Sequence, residues 1–128
     1  MKYCFLLTTL LLLSCQKLSS DCPGISRKVK FVLYTDMDFS NYADKVTFTL
    51  SIRDAWSRTI WDSVLPPMRI MDIPGIENKL VFEKQLQGYD DASLRVGFIY
   101  QVENVGISWY WKQSKPCDES KLVEFNFR

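Results

Sequence analysis

The amino-acid sequence predicts an all-β domain, a two-sheet antiparallel β-sandwich of about seven strands, because three observations agree. Apolar residues recur at every second position through most of the chain, and turn residues separate these stretches at regular intervals. After the first 14 residues no amphipathic helical window occurs. An immunoglobulin-like or transthyretin-like arrangement fits this spacing. A small closed β-barrel is the alternative, because it uses similar strands.

The first three strands follow from alternation. The stretch 28–35 directs Val29, Phe31 and Leu33 to one face, and 45–53 is the cleanest pattern, with four apolar residues on one face and Thr, Ser and Arg on the other. A turn around Trp56 leads into 58–63. The Pro66-Pro67 and Pro74-Gly75 pairs then indicate a long connection without a central strand, because proline cannot donate a ladder hydrogen bond.

The remaining four strands are predicted at 79–86, 93–103, 107–112 and 122–127. A turn at 88–91 precedes the second of these, and Asn104-Val105-Gly106 forms a tight hairpin before the third. In 107–112, Ile107, Trp109 and Trp111 share one face. Because that face contains the isoleucine, we expect both tryptophans to be buried in the core.

The first 14 residues have the pattern of a secretory leader. Lys2 provides a positive charge, Phe5–Leu13 is mainly apolar, and the small residue Ser14 ends the segment. The apolar run is shorter than the roughly 20 residues needed to span a bilayer. The chain is therefore divided into a signal peptide, 1–14, a short segment, 15–21, and the β-sandwich domain, 22–128.

The segment Leu12-Leu13-Ser14-Cys15 resembles the bacterial lipobox. That resemblance implies that Cys15 receives a diacylglycerol, that the leader is cut before it, and that the new amino group is acylated, commonly with palmitate. The alternative is an ordinary signal peptide with an incidental cysteine. On the lipobox interpretation, residues 16–21 are a tether that reaches about 20 Å at full extension.

The two remaining cysteines, Cys22 and Cys117, are expected to form a disulfide, because an exported chain meets an oxidising compartment. Two free thiols or a metal pair are the alternatives, but the sequence has neither a CxxC motif nor any histidine. Loss of Lys2 with the leader leaves 15 basic and 15 acidic residues. Such a neutral domain gives no reason to expect nucleic acid as a partner.

Candidate residues for chemistry are few. The absence of histidine excludes histidine-based catalysis, and Ser108 lacks the setting of a nucleophile elbow. We therefore expect no enzyme and no cofactor. The first loop could offer oxygen ligands to calcium, although a solvated polar loop is the favoured interpretation. The calcium candidates are Asp36, Asp38, Asn41 and Asp44.

Four tryptophans and six tyrosines raise the alternative of a carbohydrate-binding protein, because sugars stack on exposed aromatic rings. Trp56, in a predicted turn, is the aromatic residue most expected to be exposed, and Trp61 is placed on the opposite face from Ile60. The candidate ligand-binding residues are Trp56, Tyr42 and Tyr110.

Several segments resemble small uncharacterised lipoproteins of the Bacteroidetes type, namely Val46–Ile52, Ile60–Ser63, Asp72–Gly75, Val96–Tyr100 and Gly106–Tyr110. The resemblance implies a sandwich fold and an outer-membrane address, without an activity. In the bacterial lipoproteins that this chain resembles, export to the cell surface goes with a lysine and acidic residues soon after the lipidated cysteine. Gln16-Lys17 begins that pattern and Leu18-Ser19-Ser20 departs from it, so the periplasmic side is favoured over the cell surface.

These observations predict a lipid-anchored, non-enzymatic binding or accessory module that meets an envelope protein or glycan. A structural subunit of an envelope assembly is an alternative. Because Cys22 follows the tether closely, the end of the sandwich that holds Cys22 and Cys117 should face the membrane. The opposite end, with loops 36–44, 64–76 and 103–106, is the predicted contact surface for a partner.

Overall fold

The computed structural model describes Cys22 and residues 25–128, so the predicted leader 1–14, Cys15 and the tether 16–21 lie outside the described residues. Two 3-10 helices, Ile70–Asp72 and Ile76–Asn78, lie between the fourth and fifth strands. No α-helix occurs in the described part. The strands are β1 (Arg27–Tyr34), β2 (Lys45–Asp54), β3 (Thr59–Val64), β4 (Met68–Arg69), β5 (Leu80–Leu86), β6 (Leu94–Val102), β7 (Gly106–Ser114) and β8 (Ser120–Asn126).

Two sheets pack face to face. The first has the strand order β5-β1-β8, and the second has the order β3-β2-β6-β7, with β4 also paired to β2. The two-sheet β-sandwich is therefore confirmed, and the closed barrel is wrong. One detail differs from the predicted antiparallel arrangement: β1 and β8 pair in parallel, while every other described ladder is antiparallel.

The seven predicted strands lie within two residues of the observed ones, and β4 is additional. β3 and β4 pair with successive parts of β2 in the same direction, with Val64 opposite Thr49 and Met68 opposite Val46. Pro66 and Pro67 separate them, because proline lacks the N–H that would continue the ladder. β3 and β4 are thus one edge strand with a proline interruption.

The core lies between the sheets and is built mainly from the alternating apolar residues of β1, β2, β6 and β8. Its aromatic members contact one another across the sandwich: the ring of Phe98 is 5.7 Å from that of Phe31 and 5.5 Å from that of Phe125. Fully buried side chains include Val29, Phe31 and Leu33 of β1, Val46, Phe48, Leu50 and Ile52 of β2, Leu94, Val96 and Phe98 of β6, and Val123 of β8.

The sandwich has two distinct ends. The disulfide end comprises Cys22, the β2–β3 turn 55–58, and the loops 87–93 and 115–119. The loop end comprises 35–44, 65–79 and 103–105. Main-chain hydrogen bonds hold the segments of the loop end together, for example from Ile70 N to Asp44 O at 2.9 Å. Each end contains residues that are far apart in the sequence. The outer faces of the two sheets extend from one end to the other.

Candidate functional site

The disulfide end is organised by Arg27, whose side chain is buried at the start of β1. Burial lowers the pKa of this guanidinium, with Asp118 and Asp90 acting in the opposite direction, and arginine nevertheless stays protonated in proteins. The guanidinium donates to five oxygen atoms, the main-chain carbonyls of Tyr89, Ala92, Lys115 and Asp118 and the hydroxyl of Ser114. A single buried cation therefore fastens two loops to the first strand.

Arg27 is a residue that the sequence interpretation missed. It occupies the same phase of the alternation as Val29 and Phe31, so the pattern of β1 directs it inward. The sequence signal that could have identified it is a charged residue at a position where the alternation of β1 predicts an apolar one. Buried arginines need hydrogen-bond acceptors, and here neighbouring loops provide them.

The predicted disulfide is present, with Cys22 and Cys117 joined at an S–S distance of 2.06 Å and a Cα–Cα distance of 5.4 Å. The parallel pairing of β1 and β8 places Lys28 opposite Ser120, so the segments that precede the two strands meet at one end. Cys117 N also donates to Asp90 O at 2.9 Å. The disulfide and Arg27 consequently hold the same loops.

Trp56 is the most exposed large aromatic side chain of the described chain, at 80% exposure, and its predicted exposure is confirmed. It lies in a turn that Asp54 organises: Oδ1 of Asp54 accepts from the main-chain N–H groups of Trp56 and Arg58, both at 2.9 Å. Arg58 Nε donates to Oδ2 of the same carboxylate at 2.7 Å. These three hydrogen bonds hold the turn, which projects an indole into solvent at the disulfide end.

A groove of about 380 Å³ lies at the loop end, and Tyr42 is part of its lining. The Tyr42 ring is half exposed and meets Phe39 edge to face at 5.2 Å between centroids. Most of the remaining lining is apolar. It consists of Asp44, Ile70, Tyr100, Val102, Val105, Ser108, Phe127 and Arg128. The groove lies at the end of the sandwich that the sequence predicts to contact a partner.

The three aspartates among the calcium candidates, Asp36, Asp38 and Asp44, do not form a metal-binding cluster. Both oxygens of Asp36 accept from Arg128, at 3.3 and 2.7 Å, and these bonds, with Asn126, hold the pKa of this carboxyl below its usual value. Asp38 accepts from the main-chain N–H of Ser40. Asp44 lines the groove at the loop end. In the described residues, no three His, Cys, Asp or Glu side chains are arranged to hold a metal ion.

The expectation that Trp109 and Trp111 are buried in the core is wrong, because both lie on the outer face of the second sheet, where Trp109 is exposed and Trp111 is half-buried. In the β6–β7 ladder Tyr110 lies opposite Phe98, and directly opposed residues point to the same face, so Tyr110 faces the core. Its ring stacks on Phe125 at 5.0 Å, which makes it a core-packing residue and leaves little of it for a ligand. Trp109 is 64% exposed on the outer face of the second sheet. Trp61, by contrast, packs against Phe31 at the edge of the core.

The outer face of the second sheet carries a group of side chains that we call the Trp–Arg face, made up of Arg53, Arg95, Ile99, Trp109 and Trp111. These five residues line a depression of about 360 Å³. The two guanidinium carbons lie 5.3 and 5.1 Å from the centroid of Trp111. Ile107, 63% exposed, extends the apolar surface along β7.

Arg53 and Arg95 are directly opposite each other in the β2–β6 ladder. Like charges in this position repel, and no carboxylate lies within 4.0 Å of either guanidinium in the described chain. Arg95 Nη1 donates to Ser57 Oγ at 2.9 Å, and Arg53 has only a long contact, 3.4 Å, to Ser51 Oγ. Most of their N–H groups therefore have no acceptor within the described chain.

Gly97 makes room for the indole of Trp111. It lies opposite Trp111 in the β6–β7 ladder, and a Cβ on Gly97 would stand 2.9 Å from the Trp111 ring. The same Cβ would overlap the main-chain oxygen of Tyr110. The absence of a side chain at Gly97 therefore determines where Trp111 lies relative to the two arginines.

No protein-family model, curated protein or solved structure matches this chain. Within the residues that the structure describes, no helix has the length and apolar character to cross a membrane.

Proposed function

We propose that this chain is a lipid-anchored, non-enzymatic binding module of the bacterial envelope, and that the Trp–Arg face binds a carbohydrate carrying an acidic group. The observation that carries this proposal is the pair of opposed arginines, Arg53 and Arg95, beside two tryptophans and without a carboxylate partner.

The aromatic side chains support a carbohydrate ligand. Trp109 exposes most of its surface on the outer face of the second sheet, and Ile99 lies opposite it in the ladder. The apolar C–H face of a sugar ring packs against such an indole, while its hydroxyl groups remain in water. The depression of about 360 Å³ is within the range of small-molecule sites.

The two guanidinium groups support an acidic ligand. Arginine forms paired hydrogen bonds with carboxylate or phosphate, and such bonds are stronger than those between neutral groups. An anion between Arg53 and Arg95 would also relieve their mutual repulsion. A uronic acid or a sugar phosphate combines the required anion with an apolar ring face.

The membrane anchor is supported by the sequence Leu12–Cys15, which resembles a lipobox. On that basis the mature chain begins at Cys15 and is held on the outer membrane, with the periplasmic side favoured. Two or more acyl chains anchor firmly, because each buried methylene contributes about 0.8 kcal/mol. Mass spectrometry of the purified chain tests this step: an acylated Cys15 at the N-terminus supports it, and an intact or unmodified N-terminus refutes it.

A glycan array containing neutral and uronic-acid oligosaccharides tests the ligand class. Binding should be confined to acidic glycans, and Trp109→Ala should weaken it. Arg53→Gln or Arg95→Gln should weaken it about 10- to 100-fold, because a hydrogen bond to a charged group contributes about 1.5–3 kcal/mol. Equal binding of neutral glycans, or arginine variants that bind like the wild type, would refute the acidic ligand.

Arg69→Gln provides the matched control. It removes the same charge from the loop end, where Arg69 pairs with Asp72 at 2.8 Å, and should leave glycan binding unchanged. If Arg69→Gln weakens binding as much as Arg53→Gln, net charge rather than the Trp–Arg face is responsible.

A second candidate function is that of a subunit in an envelope assembly, and the groove at the loop end favours it. Val105 stands 78% exposed beside this groove, and a partner would insert an apolar side chain there. Val105→Asp should abolish co-purification of a stoichiometric partner while glycan binding persists. A partner retained by Val105→Asp would exclude this groove.

A further inference from the structure

We infer that the disulfide end rests on the lipid surface itself, with the indole of Trp56 inserted at the headgroup level. The inference rests on the proposed lipid anchor, and to the orientation expected from the sequence it adds direct lipid contact and the contacting residue. It combines the position of Trp56 in the fold with the short chain length between Cys15 and Cys22.

The position of the anchor follows from covalent geometry. Cys22 is seven positions after Cys15, with six residues between them, so their Cα atoms are at most about 25 Å apart. Cys22 is fixed to the disulfide end by its bond to Cys117. A lipid on Cys15 thus keeps this end of the sandwich close to the bilayer whatever path the intervening residues take.

Trp56 has the chemistry of an interfacial residue. Its indole is 80% exposed, and Tyr89, 38% exposed, lines the same shallow depression. Tryptophan and tyrosine are enriched where membrane meets water, because each combines an apolar ring with a polar group. An exposed indole at the end nearest the anchor therefore has the chemical character that favours the headgroup layer of a membrane.

The charges around the turn permit this contact. Asp54 and Arg58 neutralise each other through a 2.7 Å ion pair, and the carboxylate is further occupied by two main-chain N–H groups. Asp54 and Arg58 are the only charged residues of the turn 54–58, so this turn can approach lipid without desolvating an unpaired charge. The turn holds its shape through these same bonds, so little conformational freedom is lost on insertion.

The orientation has a consequence for the ligand surfaces. β7 contains nine residues and spans roughly 30 Å, at about 3.4 Å per residue. With the disulfide end on the lipid, the groove at the loop end lies on the side away from the bilayer. The Trp–Arg face lies along the side of the domain.

Depth-dependent quenching of tryptophan fluorescence tests this inference. The full lipidated chain is reconstituted into vesicles of phosphatidylethanolamine and phosphatidylglycerol that contain lipids brominated near the headgroup. Wild type should lose part of its emission, and Trp56→Phe should remove most of that loss. Trp109→Phe, the matched control, should show the same loss of emission as the wild type.

The outcomes separate the two proposals. A lipidated chain whose quenching is the same in wild type and Trp56→Phe would overturn the orientation while leaving the anchor intact. Quenching that depends on Trp109 instead would overturn it by placing the Trp–Arg face on the bilayer. A chain without lipid, detected by mass, would overturn the anchor and this inference together.

Discussion

Replacing Arg27 by methionine should strongly destabilise the domain, because Arg27 is a buried cation with five hydrogen-bond acceptors. Methionine preserves much of the side-chain volume and removes every donor. Four main-chain carbonyls and one hydroxyl would lose their partner, and each buried unsatisfied group costs about 1–3 kcal/mol. Relief of the desolvation cost of the guanidinium offsets part of that loss.

The expected net effect is a decrease of about 3–5 kcal/mol in the free energy of unfolding, because five acceptors that lose their donor at about 1–3 kcal/mol each outweigh the desolvation cost that is relieved. Domains of this size are stable by only about 5–15 kcal/mol, so the change should be large. Arg27→Lys should recover part of the loss, since an ammonium keeps the charge but cannot reproduce the planar arrangement of donors.

Urea unfolding under non-reducing conditions, followed by tryptophan fluorescence, measures both variants. The midpoint should fall in the order wild type, Arg27→Lys, Arg27→Met, with the slope of the transition unchanged. A methionine variant within 1 kcal/mol of the wild type would refute the reasoning, because the acceptors would then be satisfied without Arg27. Lys30→Met, on the exposed face of β1, is the control and should change the midpoint little.

Three further predictions concern packing, covalent stability and pH. Gly97→Ala should reduce thermal stability by several degrees and red-shift tryptophan emission, because the added Cβ overlaps the Tyr110 main chain; a variant with wild-type melting and emission would refute this. Replacing Cys117 by serine, with Cys22→Ser to avoid a free thiol, should lower stability by about 2–5 kcal/mol, as measured by urea unfolding, since the bond closes a separation of 95 residues. The free energy of unfolding should fall below about pH 4, because hydrogen bonds from Arg128 and Lys79 lower the folded-state pKa of Asp36 and Glu124. The stabilisation from these two carboxylates is complete above their unfolded-state pKa, near 4. It is lost as the pH falls through their folded-state pKa. Melting temperatures from pH 2 to 7 should show a weaker acid decline in Asp36→Asn, and an unchanged decline would contradict this assignment.

The periodicity of the chain predicted most of the strands because each core strand alternates cleanly between apolar and polar residues. β2 is the clearest case, with Val46, Phe48, Leu50 and Ile52 buried as expected. The Cys22–Cys117 pairing also followed from the sequence, since only two cysteines remain after the predicted leader and lipid site are set aside. Trp56 was correctly expected in solvent because it lies in a turn.

The face of β7 could not be assigned from its own residues, because both faces contain large aromatic side chains. The hairpin loop 103–105 has three residues, and this length places Gly106 opposite Val102 and Tyr110 opposite Phe98. A loop one residue shorter would have turned Trp111 inward, because a one-residue change in register exchanges the two faces of a strand.

The sequence by itself determined the all-β class, the limits of the main strands, the cysteine pairing and the exposed turn at Trp56. These depend on local periodicity, on turn residues and on the small number of cysteines. Only the tertiary structure decided that Arg53 and Arg95 stand opposite each other beside Trp111, and that Arg27 meets five acceptors from distant segments. Both arrangements depend on strand register and on which loops share an end of the sandwich, and these are properties of the packed chain.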